Sequence, residues 1–338
     1  MKISFFVECV TSLRYFFPIT RILIDLGHDV SMYYPTEGPG ISKYNSSLRN
    51  LQVFALRVDR LFKGVKLIPV SSNVEKIKTD VLFTLECVPR GCYGHFFEYK
   101  QRFCIQHGTD YTNFVQYTDD KTTYIAHDEY YCKDLIENFN VKAVYPEKPV
   151  TFWDIDLQLK LINFSIETDK AVYIFYPDRG HQETARKIIN HLHDKGYTII
   201  VKQRRKHQNV ENFKLDNVSV VYDDIWYPSE AVALPAISNF CIGFSSAAYT
   251  DLIPTGIDYV DLALEPYSRC RSEVEDSSQW LGYVKPKNSN NFYYINSDNY
   301  DEIESVLSHL IEKNSKNTER NRFDNFYNIG KKFLTSIL

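Results

Sequence analysis

Short apolar runs that alternate with amphipathic segments, closed at intervals by glycine, constrain this chain more than any other feature. Residues 3–7 read as a strand, residues 18–26 as a helix ended by Gly27, and residues 29–34 as the next strand. A chain that repeats this βαβ unit builds a parallel sheet with helices on its faces. Further strands are expected at 51–55, 65–69, 81–85, 102–106 and 122–126, with a helix over 129–139. The pattern loosens between Val144 and Asp169, where Tyr145-Pro146-Glu147-Lys148-Pro149 reads as a linker. It then resumes with strands at 171–175, 198–202, 218–222, 240–244 and 259–262, and helices at 182–195, 230–237 and 300–314. At 338 residues the chain has room for two such α/β domains, expected at 1–148 and 165–320. A last helix, within 321–338, carries apolar Phe323, Phe326, Phe333 and Ile337 and needs a partner surface, expected on the N-terminal domain.

Charge and cysteine usage narrow the function classes. A formal net charge of −4 lacks the basic footprint of a nucleic-acid binder. Glu8 and Arg14 interrupt the apolar start, so it reads as a first strand rather than a signal peptide. No run approaches the ~20 apolar residues of a spanning helix, while peripheral membrane contact stays open. The seven cysteines are odd in number and scattered without metal-type spacing, as expected of reduced thiols in a cytoplasmic protein.

Chemistry is expected where strands end. Residues 240–244 run into Ser245 and Ser246, either of which suits an N-cap of a helix over 247–253 closed by Pro254 and Gly256. The serines either cap only, or join the helix amides in holding an anion such as phosphate. Asp251 stands about one and a half turns further on, within reach of the same ligand. In the first half, the apolar Phe103-Cys104-Ile105-Gln106 ends in His107-Gly108-Thr109. A histidine there, at its ordinary pKa of about 6.5, can take a proton from a hydroxyl, and Gly108 permits close approach. The alternative is a hydrogen-bonded structural histidine. Glu8 lies in the loop that leaves the first strand and is a second candidate base. Lys202 and Arg204, in Val201-Lys202-Gln203-Arg204-Arg205-Lys206, either face water or neutralise a diphosphate. Arg179, in Tyr176-Pro177-Asp178-Arg179-Gly180-His181, is a diphosphate partner or part of an ordinary turn. Asp154-Ile155-Asp156 spells a carboxylate pair, but it falls in the linker and no metal site is expected from it.

The two Rossmann-like halves, the Leu26-Gly27-His28-Asp29-Val30 turn and the late serine pair resemble glycosyltransferases of the GT-B fold over most of the chain. The resemblance implies an α/β chain of two Rossmann-like domains facing across a cleft, the acceptor on 1–148 and the nucleotide donor on 165–320. It implies that Ser245 and Ser246 hold donor phosphates, that Asp251 contacts the ribose, and that 321–338 crosses back to the N-terminal domain. His107-Gly108-Thr109 is similar to a motif of CDP-glycerol glycerophosphotransferases of teichoic-acid and capsule synthesis, in which this histidine is a catalytic candidate. Two departures stand out: Asp251 is shorter than the glutamate usual at the ribose position, and the His-Pro usual after the second strand of the donor domain is missing from Val201-Lys202-Gln203-Arg204-Arg205-Lys206.

The resulting expectation is a cytoplasmic, metal-independent glycosyltransferase, with peripheral contact at the inner membrane face as an option. It would move a sugar from a nucleotide-activated co-substrate, without a cofactor, to a hydroxyl of a saccharide or lipid-linked acceptor in surface polysaccharide or glycoconjugate synthesis. His107 or Glu8 would be the base, with Ser245, Ser246, Asp251, Arg179, Lys202, Arg204, Gly108 and Thr109 binding substrate. The alternatives are glycerophosphoryl transfer from CDP-glycerol and a catalytically silent nucleotide-sugar binder, with a sugar-nucleotide 2-epimerase as a further enzyme of this fold.

Overall fold

Strands too apolar to leave either face in water must be covered on both, and each half of the chain meets that need in the same way. The computed structural model describes residues 1–7, 10–36, 58, 60–71, 75–86, 90–108, 115–162, 164, 170–177, 180–203, 213–222, 227–244, 246, 248–264, 290–297, 299–315 and 323–338. The strand expected at 51–55 lies outside them. The chain divides into two compact units, Met1–Asp154 with Asn325–Leu338, and Ile155–Asp324.

In the first unit, β1 (Lys2–Phe6), β2 (Asp29–Pro35), β3 (Lys66–Val70), β4 (Ile77–Leu85), β5 (Phe97–Ile105), β6 (Thr122–Ile125) and β7 (Ala143–Val144) form one sheet. The strands are parallel, in the order β3-β2-β1-β4-β5-β6-β7. Under α1 (Leu13–Asp25) the sheet carries an aromatic ladder, with Phe5 stacked on Phe83 at 4.9 Å, Phe83 on Phe103 at 5.3 Å, and Phe16 of the helix at 5.1 Å from Phe5. The opposite face buries Phe6 against Phe96 and Phe97, where α2 (Arg90–Phe96) runs into β5. After β6 comes α3 (Glu129–Phe139), capped by Asp128, whose carboxylate accepts the Tyr131 N–H. The last helix of the chain, which belongs to this unit, packs on α1.

One boundary differs in a way that matters for the site. The first helix starts at Leu13, after a 3-10 turn over Val10–Ser12, and not at Pro18. Pro18 removes one backbone donor, a cost offset by burying Leu13, Tyr15, Phe16 and Phe17 against the sheet. The earlier start places Arg14 and Tyr15 on the helix, beside the end of β1.

The second unit opens with α4 (Ile155–Leu161), inside the stretch read as a linker. Its sheet contains β8 (Ala171–Phe175), β9 (Thr198–Lys202), β10 (Val218–Val221), β11 (Phe240–Gly243), β12 (Asp258–Leu262) and β13 (Phe292–Ile295), all parallel, ordered β10-β9-β8-β11-β12-β13. One core joins Val172, Ile174, Ile199, Val201, Phe240 and Ile242 to residues of α5 (Gln182–Asp194) and α8 (Tyr300–Ser315). The other face receives α6 (Glu230–Ile237) on β8 and the single turn α7 (Tyr249–Leu252) on β12. The chain ends with α9 (Phe326–Ile337). No helix among the described residues is long and apolar enough to cross a membrane.

Candidate functional site

In the first unit the strand order reverses between β1 and β4, and open parallel sheets bind ligands beyond the carboxyl ends of strands at such a reversal. Groups that follow β1, β4 and β5 meet there. Glu86, just past β4 and 2% exposed, accepts the N–H of His107 at 2.8 Å and of Gly108 at 2.9 Å on one oxygen, Oε1. Two amides on one buried carboxylate oxygen hold the backbone at His107 in place. Gln106, also buried, donates through Nε2 to the Gly108 carbonyl at 2.7 Å and accepts the His127 N–H at 3.0 Å, tying this turn to the one after β6.

Arg14 and Tyr15 approach the imidazole from α1. Arg14 Nη2 donates to the Tyr15 hydroxyl at 2.8 Å and lies 3.5 Å from His107 Nδ1. The Tyr15 hydroxyl donates to the His107 carbonyl at 3.2 Å and is 3.3 Å from Nδ1, and the two rings meet edge-on with centroids 5.7 Å apart. This packing decides the charge of the ring. Burial, then the Arg14 guanidinium and His127, push the His107 pKa down to about 3. The imidazole is therefore neutral at pH 7. A base this weak has little drive to take a proton from a hydroxyl, so the reading of His107 at its ordinary pKa is corrected. The cause is the early start of α1, which brings a cation and a phenol to the ring.

In the second unit the order reverses between β8 and β11, and the Ser246 turn follows β11 at that point. Gly243 is required there, because a Cβ on it would lie 1.8 Å from the Tyr259 hydroxyl and 2.7 Å from Cζ. Tyr259 comes from β12 and is fully buried, its hydroxyl pKa raised by burial and then by Asp261 and Cys241, with Ser246 beside it. The helix expected over 247–253 shrinks to the one turn of α7, followed by a 3-10 turn over Ile253–Thr255 that Gly256 closes at φ +86°. Ala248, not a serine, is the N-cap, and half-buried Ser246 accepts the Ala248 N–H on Oγ at 3.4 Å. So short a helix carries little macrodipole, which removes the helix-dipole support that the sequence offered for an anion at this turn. Asp251 is buried at 8% exposure. Lys202 ends β9 half-buried, its ammonium 5.7 Å from the Phe175 ring centroid.

Glu8, Thr109, Arg179, Arg204 and Ser245 lie outside the described residues. Asp154 is fully buried whereas Asp156 is exposed, and no cluster able to hold a metal ion occurs among the described residues. The residues missed in the sequence are Arg14, Tyr15, Glu86, Gln106 and His127. A signal existed for two of them: Arg14 interrupts an apolar run just after a strand, and Glu86 follows the apolar end of β4 directly.

No family model and no curated protein matches the chain. Solved structures do. A candidate UDP-N-acetylglucosamine 2-epimerase of Listeria monocytogenes superimposes with a TM-score of 0.57 at 9% identity, over 99% of this chain and 95% of that one. The UDP-GlcNAc 2-epimerase of Neisseria meningitidis, bound to UDP-GlcNAc, gives 0.52 at 13% identity over 100% and 99%. The spinosyn rhamnosyltransferase SpnG, complexed with thymidine diphosphate, gives 0.50 at 10% identity over the whole of both chains. At such identities the likeness is one of fold: two Rossmann-like, parallel-sheet α/β domains of the GT-B type.

Proposed function

We propose that this chain is a glycosyltransferase that moves a sugar from a nucleotide-activated donor to a hydroxyl of a saccharide or lipid-linked acceptor. The observation that carries the reading is the placement of polar side chains at the strand-order reversal of both sheets: Arg14, Glu86 and His107 in one unit, Ser246 in the other. Two of the similar folds were solved with a nucleoside diphosphate or a nucleotide sugar, which supports a ligand of that class here. The second unit would take the donor, with Ser245, Ser246, Arg179, Lys202 and Arg204 around its phosphates. The first unit would take the acceptor around His107, Gly108 and Thr109. Charge developing on the departing diphosphate would be stabilised by hydroxyls, amides and guanidinium groups.

The reaction is a direct displacement by the acceptor hydroxyl at the anomeric carbon. Of the two sequence candidates for base, His107 is held neutral and poorly basic by its packing, which leaves Glu8, two residues after the end of β1 in the sequence, to take the proton. A role in surface polysaccharide or glycoconjugate synthesis, in the cytoplasm or at the inner membrane face, fits such an acceptor. The test is a thermal-shift screen of nucleotide sugars, followed by assay of the released nucleotide. A ligand at ~100 times its dissociation constant adds about 2.7 kcal/mol of stability. Release of a nucleoside diphosphate that depends on acceptor supports the proposal. Release of CMP from CDP-glycerol would replace it with glycerophosphoryl transfer, and binding without release would leave a silent binder.

A further inference from the structure

We infer that Arg14 and Tyr15 fix His107 as the Nε2–H tautomer, so that this histidine gives a hydrogen bond to an oxygen of the acceptor instead of taking its proton. The inference rests on the glycosyl-transfer reading only for the identity of the acceptor; the tautomer follows from the geometry of the free protein.

A guanidinium only donates, and Arg14 Nη2 has two hydrogens. Nη2 donates to the Tyr15 hydroxyl at 2.8 Å and also meets His107 Nδ1 at 3.5 Å, so a group that can only donate faces that nitrogen. The Tyr15 hydroxyl donates to the His107 carbonyl at 3.2 Å and lies 3.3 Å from Nδ1, so it can pair with either tautomer and the guanidinium decides between them. Were Nδ1 protonated, its N–H dipole would oppose the guanidinium; with the lone pair there, the contact is attractive. The ring proton then sits on Nε2. The hydrogen-bond contacts of the His107 ring among the described residues are all on Nδ1, and His107 keeps part of its surface open to solvent. A neutral imidazole of this kind offers one donor, fixed in place because Glu86 anchors the backbone on either side of the ring's attachment. Such a donor recognises an electron-rich oxygen: a sugar hydroxyl lone pair, a carboxylate or a phosphate oxygen. Arg14 and Tyr15 act through His107 and are positioning residues.

Two experiments test this. Nitrogen-15 imidazole spectra of the free, wild-type protein across pH 5 to 8 should show His107 with Nε2 protonated and Nδ1 bare, unchanged through the range. Arg14→Met should mix the tautomers and let the ring titrate at higher pH. For turnover, His107→Gln, whose amide nitrogen sits near the place of Nε2, should keep activity within about 10-fold of wild type, whereas His107→Ala should lose about 10² to 10³, as for a lost oxyanion donor. An Nδ1–H tautomer, or an imidazolium forming near pH 6.5, overturns the inference. Glutamine as inactive as alanine overturns the donor role. If no donor sugar is transferred at all, the glycosyl-transfer reading fails, while the spectra of the free protein still decide the tautomer; if Arg14→Met does not fold, the wild-type spectra decide alone.

Discussion

At the scale of the residue, the same packing that neutralises His107 makes the fold sensitive to acid. The folded state holds this ring at about 3 against an ordinary 6.5, so between those values the unfolded chain binds a proton that the native protein refuses. The site's contribution to stability is intact above the unfolded pKa of about 6.5 and is lost progressively as pH falls toward the folded one. Urea denaturation at pH 7 and pH 4.5 should show wild type losing more stability than His107→Gln over that interval. Equal losses would mean that the ring is not held neutral. Gly243 makes a second residue-scale prediction. Its hydrogen faces the Tyr259 hydroxyl, so Gly243→Ala forces a fully buried ring to move and should cost about 1 to 3 kcal/mol. Removing the hydroxyl with Tyr259→Phe should return part of that loss in a double-mutant cycle, and strict additivity would show that the clash is relieved elsewhere.

At the scale of the element, the terminal helix shows how a fit between helices depends on one missing side chain. Gly330 of α9 lies against the Trp153 ring, where a Cβ would come within 2.5 Å of Cδ2, 2.6 Å of Cγ and 2.9 Å of Ile22 Cδ1. Trp153 cannot turn away easily, because it is fully buried and its indole N–H donates to the Lys148 carbonyl at 2.9 Å. Phe333 packs on the same ring, Tyr327 donates to Asp25, and Arg21 lies 4.7 Å over the Tyr327 ring. Gly330→Ala should therefore destabilise by about 1 to 3 kcal/mol, with faster amide exchange in α9 before the sheet is affected. Unchanged exchange there would show that the helix shifts without cost. In the second unit α8 is pinned differently, by Lys313, which donates to Asp258 at 2.6 Å and to Tyr293 at 3.2 Å. Burial works against the ammonium, but these two partners outweigh it and raise its pKa.

At the scale of the whole molecule, each unit has its own sheet and its own strand-order reversal, and the proposed function assigns the donor to the second. Saturation with a nucleoside diphosphate should slow amide exchange in peptides spanning β11 to α7, with α9 unaffected. Protection confined to the turns after β4 and β5 would place the nucleotide on the first unit and reverse the assignment of donor and acceptor.

The amino-acid order by itself determined the alternation of strand and helix. Periodicity is a local property, so 129–139, 171–175, 198–202 and 230–237 fall where the pattern puts them. It also placed His107 and the Ser246 turn at strand ends, since a strand's end is marked where an apolar run stops. What it could not supply was anything that depends on distant neighbours. α2 contains two glycines and forms because Tyr93 and Phe96 are buried, and β13 is a strand because β12 offers an edge. The start of α1 was decided by the aromatic ladder it covers rather than by its proline. From that start came the contact between Arg14, more than 90 positions away in the chain, and His107. A pKa is set by what surrounds a group in space, so the histidine's position was legible in the sequence and its chemistry was fixed only by the fold.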